Sequence, residues 1–223
     1  MNDLISIIIP VKNGSKGKYL NQAIEGILAQ KMNVEIIVVD DCSTDNTVEV
    51  AKSHGCKVIH HETSKGPVVA KNSGLYVAKG KYVLFHDHDD IMKAGSLKRL
   101  YYELEPDIMA VEAKVQDFYS PDLSDDERAK TIIKDVPYWG LFTGAILIKK
   151  GVFDAIGYFS ETLKAGEIIE WQTKMDSKGF RIKKIDYVST LRRIHSTNFG
   201  RTSKYTEFKD YAAVLRAKLK NIN

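Results

Sequence analysis

Residues 34–45 read VEIIVVDDCSTD, and the fold class can be inferred by starting from this stretch. Its first six residues are mostly β-branched and apolar, which predicts a strand buried on both faces, as in a parallel sheet. Asp40 and Asp41 end that strand, and Ser43 or Thr44 can then cap a following helix. The stretch therefore predicts one β-α unit.

The same unit recurs through the first hundred residues. An apolar strand, LISIIIPV at 4–11, precedes it, and further strands are predicted at 57–60 and 81–85. Helices are predicted at 19–30 and 67–78, the second beginning with a proline that is tolerated in a first helical turn. Strands that alternate with helices in this way favour an α/β domain with a mostly parallel sheet flanked by helices.

The second half of the chain has a less regular pattern. Its predicted elements are helices at 96–104 and 166–178, strands at 108–115, 141–148, 181–185 and 188–194, and a polar loop with a short helix at 117–136. The sequence has no internal repeat and no low-complexity linker. One domain with a regular first half and an irregular second half is the simplest interpretation.

Composition and charge exclude several classes of protein. Of the 223 residues, 43% are hydrophobic and 28% are charged, which is typical of a folded domain. The net charge of +4 is too small to indicate nucleic-acid binding, but it suits a protein that holds an anionic small molecule.

The sequence also bears on where the protein is located. No apolar run approaches the ~18 residues of a membrane span. Cys42 and Cys56 lack the spacing of a disulfide framework, so we expect a cytoplasmic protein with reduced thiols.

Polar residues follow three of the predicted strands. They are Lys12-Asn13 after the first strand, Asp40-Asp41 after the second, and a run of five residues beginning at His86 after the fourth. In an open parallel sheet, ligands bind beyond the carboxyl ends of the strands. The sequence therefore predicts a crevice lined with hydrogen-bond acceptors at this edge.

The sequence HDHDD, which begins at His86, is the strongest local signal. Three carboxylates so close together repel one another unless a cation or a proton compensates their charge. Asp87 and Asp89, two residues apart, can face the same side, and hard oxygen ligands suit Mg²⁺ or Mn²⁺. His86 and His88 leave zinc as a weaker alternative.

No glycine-rich phosphate loop of the GxGxxG or GxxxxGK[ST] type is present in the sequence. Phosphate would therefore be held by a metal ion and by side chains such as Lys71. This combination indicates a nucleotide whose diphosphate is bridged by a cation.

Four segments resemble, in order and spacing, the family 2 glycosyltransferases with the GT-A fold. They are SIIIPVKN at 6–13, EIIVVDDCSTDNT at 35–47, GPVVAKNSG at 66–74 and AKGKYVLFHDHDD at 78–90. The second half resembles the family more loosely, through TG at 143–144, FDAIG at 153–157 and GEIIEW at 166–171. The resemblance implies a metal-dependent, inverting transferase that moves a hexosyl or N-acetylhexosaminyl group from a nucleoside-diphosphate sugar, favouring UDP, to a hydroxyl acceptor.

The resemblance also implies which residues bind the donor and the metal. Asp40 would accept a hydrogen bond from uracil or ribose, and Asp89 would be the direct ligand of Mn²⁺ or Mg²⁺, with Asp87 beside it. In related enzymes a histidine late in the chain completes the metal or diphosphate site, and His195 is the candidate here. The full donor-binding set would be Pro10, Val11, Asn13, Asp40, Asp41, Lys71, Asp87, His88 and Asp89.

One position departs from the family's pattern. Inverting members usually carry Glu-Asp at the start of the helix that here begins at Gly166, and the aspartate acts as general base. This chain has Glu167-Ile168, so isoleucine occupies the aspartate position. Glu167 and Glu170 share one helical face, and either could take the acceptor proton, with Glu167 favoured. Alternatively, both only stabilise the first helical turn through its dipole.

The acceptor side of the site is predicted from scattered residues. Asp90 would lie beside the sugar, and Thr143-Gly144 matches the family. Trp139 and Trp171 are candidates for a sugar-stacking platform, unless they belong to the core. The polar segments 117–136 and 196–204 could close over the donor and exclude water.

These observations predict a donor-binding half at 1–95, an acceptor-binding and catalytic half at 96–204, and a basic amphipathic helix at 205–223. That helix could pack on its own domain, form a homodimer, or contact the inner face of an anionic membrane peripherally. The expected acceptor is a saccharide or a lipid-linked sugar, as in polysaccharide or glycoconjugate synthesis. The alternative functions are a non-catalytic nucleotide-sugar-binding subunit and a nucleotidyltransferase.

Overall fold

The structure of the chain is a computed structural model that describes residues 3–15, 18–140, 142–163, 166–196 and 198. The helix predicted at 205–223 lies outside the described residues, as does most of the stretch 196–204.

The described residues form eight strands, seven helices and one 3-10 turn. The strands are β1 (Ile5–Val11), β2 (Val34–Asp40), β3 (Lys57–His60), β4 (Tyr82–Phe85), β5 (Ile91–Met92), β6 (Ile108–Tyr119), β7 (Ile146–Lys149) and β8 (Arg181–Ile194). The helices are α1 (Tyr19–Leu28), α2 (Thr47–Ser53), α3 (Pro67–Val77), α4 (Ser96–Tyr102), α5 (Asp125–Ala129), α6 (Gly151–Ile156) and α7 (Glu167–Ser177), and the 3-10 turn is Thr143–Ala145.

All eight strands belong to one sheet, in the order β3-β2-β1-β4-β7-β6-β8-β5. The first four neighbours in that order pair in parallel, as do β6 and β8. Strand β7 runs antiparallel to both of its neighbours, and β5 runs antiparallel to β8 at the edge. The predicted α/β architecture with a mostly parallel sheet is thus confirmed.

Strand β1 shows why the sheet is covered on both faces. Ile5, Ile7 and Ile9 point into one core cluster, which helices α1 and α4 complete. Ile8 points into the opposite cluster, which contains apolar residues of α3, α6 and α7. Because successive side chains of a strand point to opposite faces, a strand covered on both faces needs an unbroken apolar run.

The second half differs from the prediction in several elements. The two strands expected at 181–185 and 188–194 form the single strand β8, whose register against β6 shifts at three places. The strand expected at 141–148 begins only at Ile146, because Thr143–Ala145 form a 3-10 turn and a glycine within a strand weakens it. Strand β5 and helix α6 are too short to give a periodic signal.

The carboxyl ends of the central strands meet at one edge of the sheet. There the backbone N–H of Asp41 donates to the carbonyl of Val11 at 2.8 Å, and that of His86 donates to the carbonyl of Ile8 at 2.8 Å. Strand β8 runs parallel to β6, and its last residue, Ile194, pairs with Tyr119. The segments that follow β1, β2, β4 and β8 therefore contain the polar residues of the candidate site.

Candidate active site

Asp89 and His195 meet although 106 positions separate them in the chain. The imidazole Nε2 of His195 lies 2.8 Å from Oδ2 of Asp89, and the side-chain amide of Asn198 donates to the same oxygen at 3.3 Å. The ring of Tyr19 packs on the imidazole, with ring centroids 5.1 Å apart. The structure thus brings together the two side chains that the sequence assigned to a metal or diphosphate site.

The three carboxylates after β4 differ in how readily they ionise. Burial raises the pKa of Asp89, but His88 nearby and the hydrogen bond with His195 outweigh it and lower that pKa to about 2. Burial raises the pKa of Asp87, and it raises the pKa of Asp90 well above its ordinary range. Asp89 is therefore the carboxylate of the cluster that is most readily ionised.

Asp90 fixes the loop after β4 to β8. Its Oδ1 accepts a hydrogen bond from the backbone N–H of Arg193 at 2.9 Å, and the residue is buried. Arg193 in turn donates from Nε to the carbonyl of Asp89 at 2.8 Å. The acceptor contact expected of Asp90 stays a prediction beside this contact within the chain. The sequence reasoning missed Arg193, for which its position two residues before His195 was the available signal.

The ends of β1 and β2 are joined by polar side chains. Asp40 is completely buried, and its Oδ2 lies 2.7 Å from Nδ1 of His60. The side-chain oxygen of Asn13 accepts from the backbone N–H of Thr44 at 2.8 Å, which ties the loop after β1 to the loop after β2. Pro10 and Val11 are buried at the end of β1. These predicted donor residues therefore share one edge of the sheet.

Asp41 organises the loop that leads into α3. Its Oδ1 accepts from the backbone N–H of Lys65 at 2.8 Å and lies 2.9 Å from Nδ1 of His61. Its Oδ2 accepts from the hydroxyl of Ser64 at 2.7 Å and from the backbone N–H of Gly66 at 2.9 Å. Because both oxygens are engaged by the chain itself, the expected nucleotide contact of Asp41 is replaced by a positioning role.

Lys71 of α3 and Glu167 of α7 form a buried ion pair, with Nζ and Oε1 2.5 Å apart. Burial raises the pKa of Glu167, but the charge of Lys71 and its hydrogen bond outweigh it, so that the pKa is lowered. Both charges also act on Asp87, where Lys71 lowers the pKa and Glu167 raises it.

The other two residues considered at the start of α7 have different surroundings. Ile168 is 2% exposed and lies in the core. Glu170 pairs with Lys174 at 3.2 Å.

The two tryptophans lie in different environments. Trp171 is 1% exposed and packs against Phe153, with ring centroids 6.0 Å apart. Because its ring is inside the core, its expected role as a sugar-stacking platform is wrong. Trp139 is 43% exposed, and Nζ of Lys114 lies 4.3 Å from its ring centroid. Trp139 is thus the tryptophan that a ligand can reach.

Thr143 and Gly144 are buried in the 3-10 turn before β7. The carbonyl of Gly144 accepts a hydrogen bond from the hydroxyl of Thr190 at 2.9 Å, so this turn is fixed to β8. The carbonyl of Phe85, the last residue of β4, lies 3.5 Å from where a Cβ on Gly144 would stand. The pair therefore lies close to the end of β4, from which the acidic cluster begins.

The residues around Asp89 fit a hard cation better than zinc. His86 is fully buried, and burial lowers its pKa to about 4, so this imidazole is neutral inside the core. In the part of the chain that the structure describes, no group of three or more His, Cys, Asp and Glu side chains could hold a metal ion by itself. An ionised carboxylate with few protein ligands beside it suits an ion that completes its shell with phosphate oxygens and water.

Solved structures of sugar transferases have the same fold. The N-terminal part of TarS from S. aureus, in complex with UDP-GlcNAc, gives a TM-score of 0.72 over 96% of this chain and 65% of that one, at 22% identity. The mannosyltransferase PcManGT from Pyrobaculum calidifontis, in complex with GDP-Man and Mn²⁺, gives 0.71 over 95% and 64%, at 18% identity. The fold is thus the GT-A fold of nucleotide-sugar transferases, as the sequence predicted.

Sequence comparison defines the family. The model of glycosyl transferase family 2 matches residues 6–165, so the chain belongs to that family. Glycosyltransferase GlyG from Streptococcus pneumoniae is 38% identical over 131 residues, which are 56% of this chain and 42% of that protein. An uncharacterized glycosyltransferase of Rickettsia prowazekii is 33% identical over 178 residues, 72% of this chain and 55% of that protein. The matched region thus spans about half the length of these relatives.

None of the helices that the structure describes is both long and apolar enough to cross a membrane.

Proposed function

We propose that the chain acts as an inverting glycosyltransferase that transfers a sugar from a nucleoside-diphosphate sugar, favouring UDP, to a hydroxyl acceptor. The observation that carries this proposal is the meeting of Asp89 with His195 at the strand edge where the donor is expected. The UDP-GlcNAc bound by the TarS structure supports a UDP-sugar as the donor class.

Asp89 and His195 would hold a divalent cation, Mn²⁺ or Mg²⁺, beside the donor diphosphate, with Asp87 and His88 in the same loop. When bound, such an ion supplies Lewis-acid stabilisation of the charge that develops on the departing diphosphate. The Mn²⁺ in the PcManGT structure supports this assignment. Tyr19 and Asn198 keep the imidazole and the carboxylate in place for it.

In the proposed reaction the acceptor oxygen attacks the anomeric carbon on the side opposite the diphosphate. The new carbon–oxygen bond forms as the bond to the diphosphate breaks, and its electron pair leaves with the nucleoside diphosphate. The acceptor proton moves to the carboxylate of Glu167, a general-base contribution of ~10²–10⁴-fold. Glu170 is the weaker candidate for this role because it pairs with Lys174 on the same helix.

A second function is favoured by one observation. Ile168, where the family usually carries the base, is buried in the core, and the neighbouring Glu167 is paired with Lys71. A chain without a working base would bind a nucleotide sugar and support a catalytic partner. No observation on the described site favours the nucleotidyltransferase alternative.

Product analysis separates these functions. We expect that the chain, incubated with UDP-GlcNAc, Mn²⁺ and a panel of saccharide and lipid-linked acceptors, transfers the sugar and releases UDP, and that excess EDTA abolishes this release. Asp89→Ala should lower the rate by at least ~100-fold, because it removes the ionised metal ligand. Asp107→Ala is the matched control, since this aspartate is 58% exposed and precedes β6 at the opposite edge of the sheet.

Each alternative result would indicate a different function or contradict one assignment. Release of pyrophosphate would indicate a nucleotidyltransferase, and donor binding without UDP release would indicate a binding subunit. Full activity in EDTA would contradict the metal assignment.

The remaining assignments are part of the same proposal. Residues 1–95 would form the donor-binding half and residues 96–204 the acceptor-binding and catalytic half. Trp139 is the exposed ring available to a saccharide or a lipid-linked acceptor. Contact of 205–223 with a membrane surface or with a second copy of the chain, and a cytoplasmic location, belong to the proposal as well.

A further inference from the structure

The ion pair between Lys71 and Glu167 joins two parts of the site that the proposed reaction uses separately. Lys71 belongs to the donor-binding set, whereas Glu167 is the proposed base for the acceptor. Their charged atoms lie 2.5 Å apart, and both side chains are about nine-tenths buried. A lysine in such a place cannot neutralise a diphosphate fully while it also neutralises this carboxylate.

Core packing holds the two helices that carry the pair. Val68 and Leu75 of α3 belong to the same buried cluster as Met175 of α7. The backbones that carry Lys71 and Glu167 are therefore fixed relative to each other. Any change in the pair has to come from the side chains, and the long lysine chain has the greater reach.

A second acidic side chain lies within electrostatic reach of the pair. Lys71 acts electrostatically on Asp87, which lies in the loop expected to hold the donor diphosphate. A donor diphosphate held in that loop would add further negative charge within reach of Lys71. Coulomb attraction between ammonium and phosphate at a poorly solvated site is strong enough to compete with a single carboxylate.

We propose that Lys71 couples the two half-sites: it holds Glu167 in an ion pair before the donor binds and transfers to the donor diphosphate afterwards. This inference rests on the proposed function. Donor binding then leaves the Glu167 carboxylate without its cation, which makes it a better acceptor for the proton of the attacking hydroxyl. The donor would thus bind before Glu167 accepts the proton of the acceptor, because Lys71 leaves Glu167 only when the diphosphate is present.

The same competition predicts how substitutions change donor affinity. If part of the binding free energy is used to separate Lys71 from Glu167, then removing the carboxylate should tighten donor binding. We expect Glu167→Gln to bind UDP about 3- to 10-fold more tightly, measured by calorimetry with UDP and Mn²⁺. Lys71→Met should bind UDP at least ~10-fold more weakly.

A double-substitution cycle separates this mechanism from general charge repulsion. In the Lys71→Met background, Glu167→Gln should no longer tighten UDP binding, because the competition is gone. Asp176→Asn is the matched control: it removes an exposed carboxylate at the other end of the same helix and should leave UDP affinity unchanged. Circular dichroism of each variant establishes that it is folded.

Two results would overturn the inference while leaving the proposed function intact. One is unchanged or weaker UDP binding by folded Glu167→Gln. The other is an equal gain in affinity in the presence and absence of Lys71. If the unsubstituted chain binds none of UDP, GDP, CDP and dTDP, the proposed function fails and the inference fails with it.

Discussion

Aspartates at the carboxyl edge of the sheet serve two physical purposes. Asp41 and Asp90 are hydrogen-bonded to backbone groups of the chain and fix the loops that surround the site. Asp89 lies between an imidazole and an amide that both contact one of its oxygens. Carboxylates that look equivalent in the sequence therefore have different partners in the structure, and only Asp89 is assigned to a ligand in the proposed function.

The stability of the loop at 61–66 should depend on the charge of Asp41. We expect Asp41→Asn to lower the free energy of unfolding by about 1–2 kcal/mol at pH 7, because an amide cannot accept all of these hydrogen bonds. In the folded chain burial raises the pKa of Asp41, but hydrogen bonds, first from Lys65 and then from His61 and Ser64, lower it from 3.8 to about 2. The lowered pKa means that this stabilisation is complete above the unfolded-state value and is lost as the pH falls toward about 2.

Urea unfolding at pH 7 and at pH 3 measures this effect. The difference between the unsubstituted chain and Asp41→Asn should shrink at the lower pH. Asp186→Asn, at a largely exposed position, should show little difference at either pH. An equal loss of stability for Asp41→Asn at both pH values would mean that the charge of Asp41 is not the cause.

Residue types at strand ends could be read from the sequence, but their partners could not. Asp40, Asp89 and His195 were predicted as site residues because strand ends, an acidic cluster and the family pattern mark them. The contact of His60 with Asp40 depends on the register of the paired strands. The contact of Asp90 with Arg193 of β8 depends on the path of the loop after β4. No local sequence pattern predicts either contact, because both contacts form only when distant strands are paired.

Helix α3 is the element that connects the nucleotide edge to the rest of the site. It follows the loop held by Asp41, carries Lys71, and donates from Asn72 to the carbonyl of Phe159 at 2.9 Å. It packs closely on β1, because a Cβ at Gly74 would stand 2.4 Å from Cγ2 of Ile8. The glycine therefore sets the distance between this helix and the sheet.

Gly74→Ala should destabilise the chain by about 1–3 kcal/mol, because the added methyl group overlaps a buried, β-branched side chain that has little room to move. Chemical denaturation measures the change. Gly151→Ala is the matched control, since no atom lies within 4 Å of its new Cβ at the start of α6. If Gly74→Ala proves as stable as that control, the close approach of α3 to β1 does not limit the stability of the chain.

At the level of elements, the regular half was predictable, and so were α4, β6 and α7 of the second half, whereas β5, α6 and the continuity of β8 were not. Apolar runs and helical periodicity placed β1 to β4 and α1 to α3 within a few residues. Strand β8 was predicted as two strands because the polar pair Asp186 and Tyr187 interrupts its apolar pattern, although the backbone continues through it. Pairing with β6 on one side holds this strand together, and that pairing is not visible in β8 itself.

At the scale of the whole molecule, the strand order determines what the sheet can do. Parallel strands β3, β2, β1 and β4 place their carboxyl ends along one edge, and β8 adds its own end beyond β6. Sequence reasoning predicted every strand of the sheet except β5, with β8 divided in two, but the insertion of antiparallel β7 between β4 and β6 followed only from the structure. A site with residues from both halves of the chain results from this order.

Binding at such a site should stabilise the whole chain. A ligand at 100 times its Kd adds ~2.7 kcal/mol to the free energy of unfolding, which for a chain of this size corresponds to a rise in Tm of roughly 5–10 °C. We expect this shift with Mn²⁺ and UDP, a smaller one with GDP, and none with UDP in EDTA. Asp89→Ala should abolish the metal-dependent part, and the same shift in that variant would argue against the assigned site.

The burial of Ile168 has a consequence for engineering this position. Its side chain lies in the cluster that also holds Phe159, Trp171 and Met175. An aspartate at position 168 would place an ionisable group among apolar neighbours, at a cost of several kcal/mol for the charged form. One substitution therefore does not simply supply a second acid beside Glu167. The surrounding core would have to be redesigned with it, so that the new carboxylate gains water or a hydrogen-bond partner.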